Sequence, residues 1–197
     1  MTNSHPTGGF RSPAPGFFTR GVLELAPDLL GCLLLHETPE GVTSGLITET
    51  EAYHQSESSC HAFGGPTPRN WPMFEQGGLA YVYRIYGMHC CFNISSGEEG
   101  TGEAVLIRVL RPESGLTLMI RNRGRDDTET LCRGPGNLCR ALGIDTALNG
   151  ADLRTSPLRL LVPAEKQALS FERTRRVGVT KAQRLDWRFV ARFMEHD

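Results

Sequence analysis

In the segment GLITETEAY (Gly45–Tyr53), residues two apart share a face if the chain is extended. Ile47, Glu49, Glu51 and Tyr53 would then point one way, and Leu46, Thr48, Thr50 and Ala52 the other. Two carboxylates and a phenol on one face allow two readings. One is the solvated face of an edge strand, because a glutamate is seldom buried unpaired. The other is a carboxylate walled by aromatic groups, a setting that suits a general base. In AVLIRVL (Ala104–Leu110), Arg108 falls on the face of Leu106 and Leu110. It is either an arginine whose stem packs while its head reaches water, or a group that orients a carboxylate, a water or a phosphate.

Three of the four tyrosines, Tyr81, Tyr83 and Tyr86, lie within the six residues Tyr81–Tyr86. Tyr81 and Tyr83 share a strand face and suit cross-strand aromatic packing. Tyr86 falls at the turn that follows, where no strand partner is available, so its ring is expected to meet something outside the domain. A wedge in a nucleic-acid stack is one such use. His61 sits in a long loop, and a lone histidine there is as often a hydrogen-bonded structural residue as a ligand contact. His54, His61 and His89 supply no metal-ligand spacing, and the nucleophile-elbow, phosphate-loop and dinucleotide signatures do not occur. The six cysteines contain no C-x-x-C pair and read as reduced packing residues.

These side chains need elements to hold them. Residues 1–18, rich in Gly, Pro and small polar residues, read as a flexible arm, with the domain proper spanning 19–197. A helix is expected over Leu23–Leu30, then strands over Cys32–His36 and Gly45–Tyr53. From Gln55 to Gly78 runs a connection too long to be idle, in which Trp71, Met73 and Phe74 read as core anchors. A hairpin is expected from Leu79–Ile85 and Cys90–Ser95 with its tip at Tyr86–His89, and a strand over Ala104–Leu110 closed by Arg111-Pro112. Helices follow over Glu113–Arg121 and Pro135–Leu142, and weaker strands over Leu158–Val162, Arg176–Val179 and Trp187–Val190. The sum is one mixed α/β (α+β) domain with a curved, largely antiparallel sheet and a protruding hairpin.

With 197 residues, 39% hydrophobic and 22% charged, the chain can bury a core without disulfides. It has no apolar run of membrane-spanning length and no secretory start, so a cytoplasmic location is expected. The net charge of −1 rules out a uniformly basic coat, yet 19 of the 21 basic side chains are arginine, and residues 1–60 hold only two of them against seven acids. A basic face elsewhere is compatible with that balance.

Taken in order, LLG (Leu29–Gly31), ETEAY (Glu49–Tyr53), CHAFGG (Cys60–Gly65), TPRN (Thr67–Asn70), YVYRIYGMH (Tyr81–His89), NISS (Asn93–Ser96), AVLIR (Ala104–Arg108), GPGNLCRALGI (Gly134–Ile144) and RRVGV (Arg175–Val179) resemble the alkyladenine (3-methyladenine) DNA glycosylase family. The resemblance implies a fold related to the C-terminal domain of formyltransferases, with the hairpin entering the minor groove of double-stranded DNA. It implies a monomeric base-excision-repair enzyme without cofactor or metal, associated with the nucleoid through DNA. Such an enzyme cuts the N-glycosidic bond of alkylated or deaminated purines.

By the same resemblance Glu51 deprotonates the attacking water and Arg108 helps hold it. Asn93 lines the pocket floor, Tyr53, His61, Tyr83 and Tyr81 surround the flipped base, and Tyr86 fills the gap in the stack. Candidates for contact with the DNA backbone are Arg84, Met88, Arg111, Arg121, Arg123, Arg125 and Arg140. Lys166 and Lys181 lie outside the matched motifs, which implies no amine nucleophile and hence an enzyme that leaves an abasic site. Two other readings stay open on the residues alone. One is a non-catalytic nucleic-acid-binding module on the same scaffold, and the other a sugar hydrolase using Glu49 and Glu51 as its carboxylate pair.

Overall fold

A computed structural model describes residues 9–155, 157–165 and 169–192. Among these residues, nine strands and three α-helices form a single mixed α/β domain: β1 (Phe10–Arg11), α1 (Val22–Asp28), β2 (Leu33–Thr38), β3 (Gly41–His54), β4 (Ala80–Ile85), β5 (His89–Ser95), β6 (Glu103–Ser114), α2 (Leu116–Arg123), α3 (Pro135–Leu142), β7 (Leu158–Pro163), β8 (Ser170–Thr174) and β9 (Arg188–Arg192). All strand pairs are antiparallel, in the order β1-β7-β2-β3-β6-β5-β4. β2 accompanies the first part of β3, and β9, itself paired with β8, takes over the same edge at Glu49–Glu51. That handover exposes the second half of β3 to a different set of neighbours, and the charged side chains of ETEAY lie there.

Two bulges set which way those side chains point. Ile47 pairs with Leu110, Glu49 with Val109 and Thr50 with Ile107, so Thr48 on β3 and Arg108 on β6 are each passed over in the register. A bulge rotates the chain beyond it and re-aims a side chain. Strict alternation therefore fails at Thr48. Ile47 and Leu110 belong with Ala52 to the main hydrophobic core, while Glu49, Glu51 and Tyr53 turn to the opposite side. The main core lies under α1, α3 and the inner strands, and a smaller cluster of Cys60, Ala62, Met73, Tyr81 and Ala104 sits beneath the long loop.

Several expected boundaries move, each for a visible reason. α1 begins at Val22, whose amide is bonded by the buried Glu103 carboxylate at 3.0 Å, and it ends soon after Pro27. β6 does not close at Arg111-Pro112 but continues to Ser114, because Pro112 sits at a register shift, where a missing N–H costs little. The next helix is thereby pushed to Leu116, after a turn at Gly115. There φ is 77°, and a Cβ would come within 2.2 Å of the Val42 carbonyl. α3 matches its expected span, opened by Gly134-Pro135 and closed by Gly143 at φ 74°.

The segment read as an arm carries β1, paired with β7, and places Phe18 in the core; residues 1–8 lie outside the described residues. Arg176–Val179 forms no strand, and β8, whose residues are mostly exposed, had no apolar alternation to announce it. The six cysteines are free and five are buried. Among the described residues no helix is long and apolar enough to cross a membrane.

Candidate active site

The site begins as a row across the sheet. Tyr81 on β4 pairs with Asn93 on β5, Asn93 with Leu106 on β6, Leu106 with Glu51 on β3, and Glu51 with Arg188 on β9. Residues paired in register project to one side, so four strands present Tyr81, Asn93, Leu106 and Glu51 together. Above this row lies a cavity of about 430 Å³. Tyr81, Asn93 and Leu106 line it, with Tyr53, Tyr83, His61 and Arg108 around them.

Glu51 is wholly buried, yet its partners reach the cavity. Tyr53 donates its phenol to Oε2 at 2.8 Å, the Val177 amide donates to Oε1 at 2.7 Å, and Arg108 Nη1 stands 3.4 Å from Oε2. Tyr53, Arg108 and Val177 all line the cavity, so the carboxylate lies directly beneath its wall. The Val177 contact also explains the lost strand. Its amide serves a side chain rather than a ladder, and Gly178 turns the chain at φ 75°. The resulting loop, Val177–Lys181, forms one side of the cavity, which periodicity had no means of showing.

Glu49 has a different setting. Arg188 clasps it with Nε and Nη2 at 2.7 and 2.9 Å, and Arg108 Nε reaches it at 2.7 Å. Burial works to raise its pKa, but the hydrogen bonds from Arg188 and Arg108 outweigh that and hold the carboxyl below the usual range. A carboxylate held as an anion cannot be the proton donor of a carboxylate pair, and with both oxygens held by guanidinium groups Glu49 is poorly placed to be its base or nucleophile either. The bulge at Arg108 is what lets one guanidinium serve both acids. Arg188 itself was not singled out from the sequence; only its pairing opposite Glu51 reveals it.

The aromatic wall is cross-braced. His61 Nδ1 is 2.9 Å from the Tyr81 hydroxyl, the His61 ring meets Tyr83 edge-on at 4.6 Å, and Tyr81 and Tyr83 lie 5.2 Å apart. Arg69, from the TPRN motif, lies over the Tyr83 ring at 4.9 Å, another contact that spacing did not reveal. Its neighbour Asn70 is buried and donates to the carbonyls of His61 and Gly65, fixing the loop that presents His61. Burial, then Arg69, lower the His61 pKa, while burial pushes Tyr81 up to about 12. Asn93 donates to the Tyr81 carbonyl at 3.0 Å. Of the loop anchors, Met73 is buried and Phe74 partly so, while Trp71 is exposed on one side.

Beyond the wall the hairpin tip spans Tyr86–Met88, since β5 already begins at His89. Tyr86 is 87% exposed and Met88 77%. Tyr86 also has φ 51°, a left-handed conformation costing a non-glycine residue on the order of 1–2 kcal/mol. An exposed, strained tyrosine adds nothing to the packing of the domain. Beside it a second cavity of about 470 Å³ joins Arg84, Met88 and Arg140, and Arg140 and Arg125 lie close enough to Arg123 to depress its pKa after burial. Arg84 and Arg140 thus meet beside the hairpin, with Asp145 in the same cavity, and Arg123 and Arg125 lie close to Arg140 at the end of α2. Arg121 is exposed on α2, and Arg111 lies opposite Leu46, well back along β3, bonded to Glu113 at 3.1 Å.

With this geometry in view, comparison places the chain among the DNA glycosylases, hydrolases that act on N-glycosyl bonds. More particularly, it belongs to the methylpurine-DNA glycosylase family, whose model matches residues 16–194. Its similar relatives include three that bear the name "Putative 3-methyladenine DNA glycosylase". The relative from Methanoculleus marisnigri is 49% identical over 176 residues, covering 88% of this chain and 91% of its own length. That from Rhodopseudomonas palustris strain BisB18 is 47% identical, covering 89% and 85%. That from Rubrobacter xylanophilus is 46% identical, covering 83% and 85%.

Proposed function

We propose that the protein removes alkylated or deaminated purines from double-stranded DNA by rotating the damaged nucleotide into the 430 Å³ cavity and hydrolysing its N-glycosidic bond. The observation that carries this reading is the buried Glu51 carboxylate, fastened by three groups that all line the cavity. Fastened in this way, it has a fixed direction in which to accept a proton from water. The water adds its oxygen to C1′ and gives its proton to Glu51, and the C1′–N bond breaks with the electron pair leaving on the base. Tyr53 remains a donor throughout, because burial and the neighbouring Glu51 push its pKa far up.

A cationic alkylated purine is already a good leaving group and stacks favourably on the rings of Tyr53 and Tyr83, with a cation–π contribution of about 0.5–2 kcal/mol. Asn93 at the floor discriminates among purine edges, His61 borders the base, and Tyr86 occupies the gap left in the stack. The hairpin approaches from the minor groove, and Arg84, Arg140, Arg123 and Arg125 follow the phosphates. The reaction needs no cofactor beyond water, and a monomer in the cytoplasm suffices for it.

The product is an abasic site. Lys166 lies outside the described residues, whereas Lys181 proves to line the cavity, so its amine is the one to examine. Incubation with duplexes carrying single defined lesions should release free base and leave a strand that breaks only on later alkali treatment. Borohydride should trap no covalent adduct. Failure to release base from any lesion duplex would overturn the proposal, and a trapped adduct would overturn the abasic product.

A further inference from the structure

Next to Tyr53 lies a charged pair that the reaction above does not use. Arg176 directly precedes Val177, whose amide holds Glu51. Its guanidinium is fully enclosed, 4.5 Å from the centre of the Tyr53 ring and 5.5 Å from that of Trp187. Nη1 donates to the Ala52 carbonyl at 3.0 Å and to Glu57 Oε1 at 2.6 Å. Nε and Nη2 are buried without a hydrogen-bond partner. Burial works against the charge, but the bond and field of Glu57 outweigh it and keep the guanidinium protonated. Two of its donors go unmet although the group is enclosed, so hydrogen bonding and packing alone do not account for an arginine here.

Tyr53 lines the cavity and Arg176 does not, so the guanidinium covers a part of the ring closed to the cavity. A purine stacked on the open face at about 3.5 Å would then stand about 8 Å from that charge. At this separation in a poorly screened interior, an uncompensated cation would weaken binding of a second cation about thirtyfold. Glu57, at hydrogen-bond distance, cancels that field. Of the other cations near the base, Arg108 lines the cavity but is paired with Glu49 and Glu51, while Lys181 on its rim and Arg69 over the Tyr83 ring are exposed and screened by solvent.

We infer that Arg176 and Glu57 are positioning and specificity residues for the same cavity. Arg176 fixes the plane of Tyr53 and the Val177 amide, and Glu57 neutralises it so that a positively charged base can stack on Tyr53. The inference rests on the proposed base-binding role of the cavity and goes one step further, to the charge of the base it accepts.

The test is binding of the full chain to two duplexes that differ only in the lesion, cationic 7-methylguanine or neutral hypoxanthine. Each is carried on a 2′-fluoro sugar that blocks hydrolysis. E57Q should weaken binding of the cationic lesion about thirtyfold relative to the neutral one. R176M, which leaves an unpaired anion instead, should shift the ratio the other way, and E57Q/R176M should return it to the parent value. Damage to the pocket alone would lower both affinities together. The two single variants move the ratio in opposite directions, so either one that retains the parent circular dichroism decides the matter. An unchanged ratio overturns the inference while leaving the cavity reading intact. If the parent prefers neither lesion over undamaged duplex, the cavity reading itself falls.

Discussion

Tyr53 donates its phenolic hydrogen to Glu51 Oε2 across 2.8 Å, from two positions further along the same strand. The extended chain places both side chains on one side of the sheet, and the hydrogen bond uses that placement to lock the carboxylate against the cavity wall. Val177 holds the other oxygen from a separate loop. The carboxylate is thus fixed by local strand geometry at one end and by long-range folding at the other, which is the preorganisation a water-activating base requires.

Glu51→Gln should bind a lesion duplex with near-parent affinity, since the amide occupies the same volume, but lose at least about 100-fold in the rate of base release. Single-turnover kinetics beside a binding titration would separate the two effects. Near-parent turnover would remove Glu51 from its proposed role.

Tyr86 contributes nothing to the core and sits in a conformation unfavourable for its side chain. Tyr86→Ser should therefore leave the urea midpoint almost unchanged while weakening binding to lesion duplex substantially, by an amount on the order of the few kcal/mol that inserted side chains repay. Equal affinity of variant and parent would show that the tip is not a wedge.

Much of this site is legible in the amino-acid sequence, and the reasons differ by residue. Glu51 and Tyr53 stood out because period-two alternation put a phenol beside a carboxylate, and Tyr86 because a turn offers an aromatic ring no partner. The hairpin and α3 were marked by local punctuation at Gly87 and at Gly134-Pro135. What stayed hidden was set by distant pairing. The bulges at Thr48 and Arg108 break the alternation and move Ile47 and Leu110 to the core side, and no local signal announces them. Arg176–Val179 looked like a strand because its residues are β-prone, but its amide at Val177 is claimed by a side chain 126 positions away.

His61 offers a check through pH. Burial and Arg69 hold its folded pKa below the ordinary value of 6.5. The unfolded chain therefore takes up a proton that the folded one resists. The contribution of His61 to stability is full above about pH 6.5 and declines as the pH falls toward the folded value. His61→Gln, which cannot titrate, should lose less stability than the parent between about pH 7 and 5 in urea unfolding curves. Parallel pH dependence in the two proteins would show that the ring is free to protonate in the fold.

These arginines make a prediction about salt. A side chain that neutralises a phosphate releases a counterion, and its loss lowers the slope of log affinity against log salt by about 1. Arg84 and Arg140 share the cavity beside the hairpin with Met88, so alanine at either position should reduce the slope by that amount and weaken lesion and undamaged duplex alike. Arg111 lies opposite Leu46, five residues back along β3 from Glu51, or about 17 Å at strand rise, and is bonded to Glu113. Arg111→Ala should change the slope much less. Titrations at three or more salt concentrations would distinguish the positions. A larger effect at Arg111 than at Arg84 would mean that DNA lies along the start of β3 instead of beside the hairpin and α3.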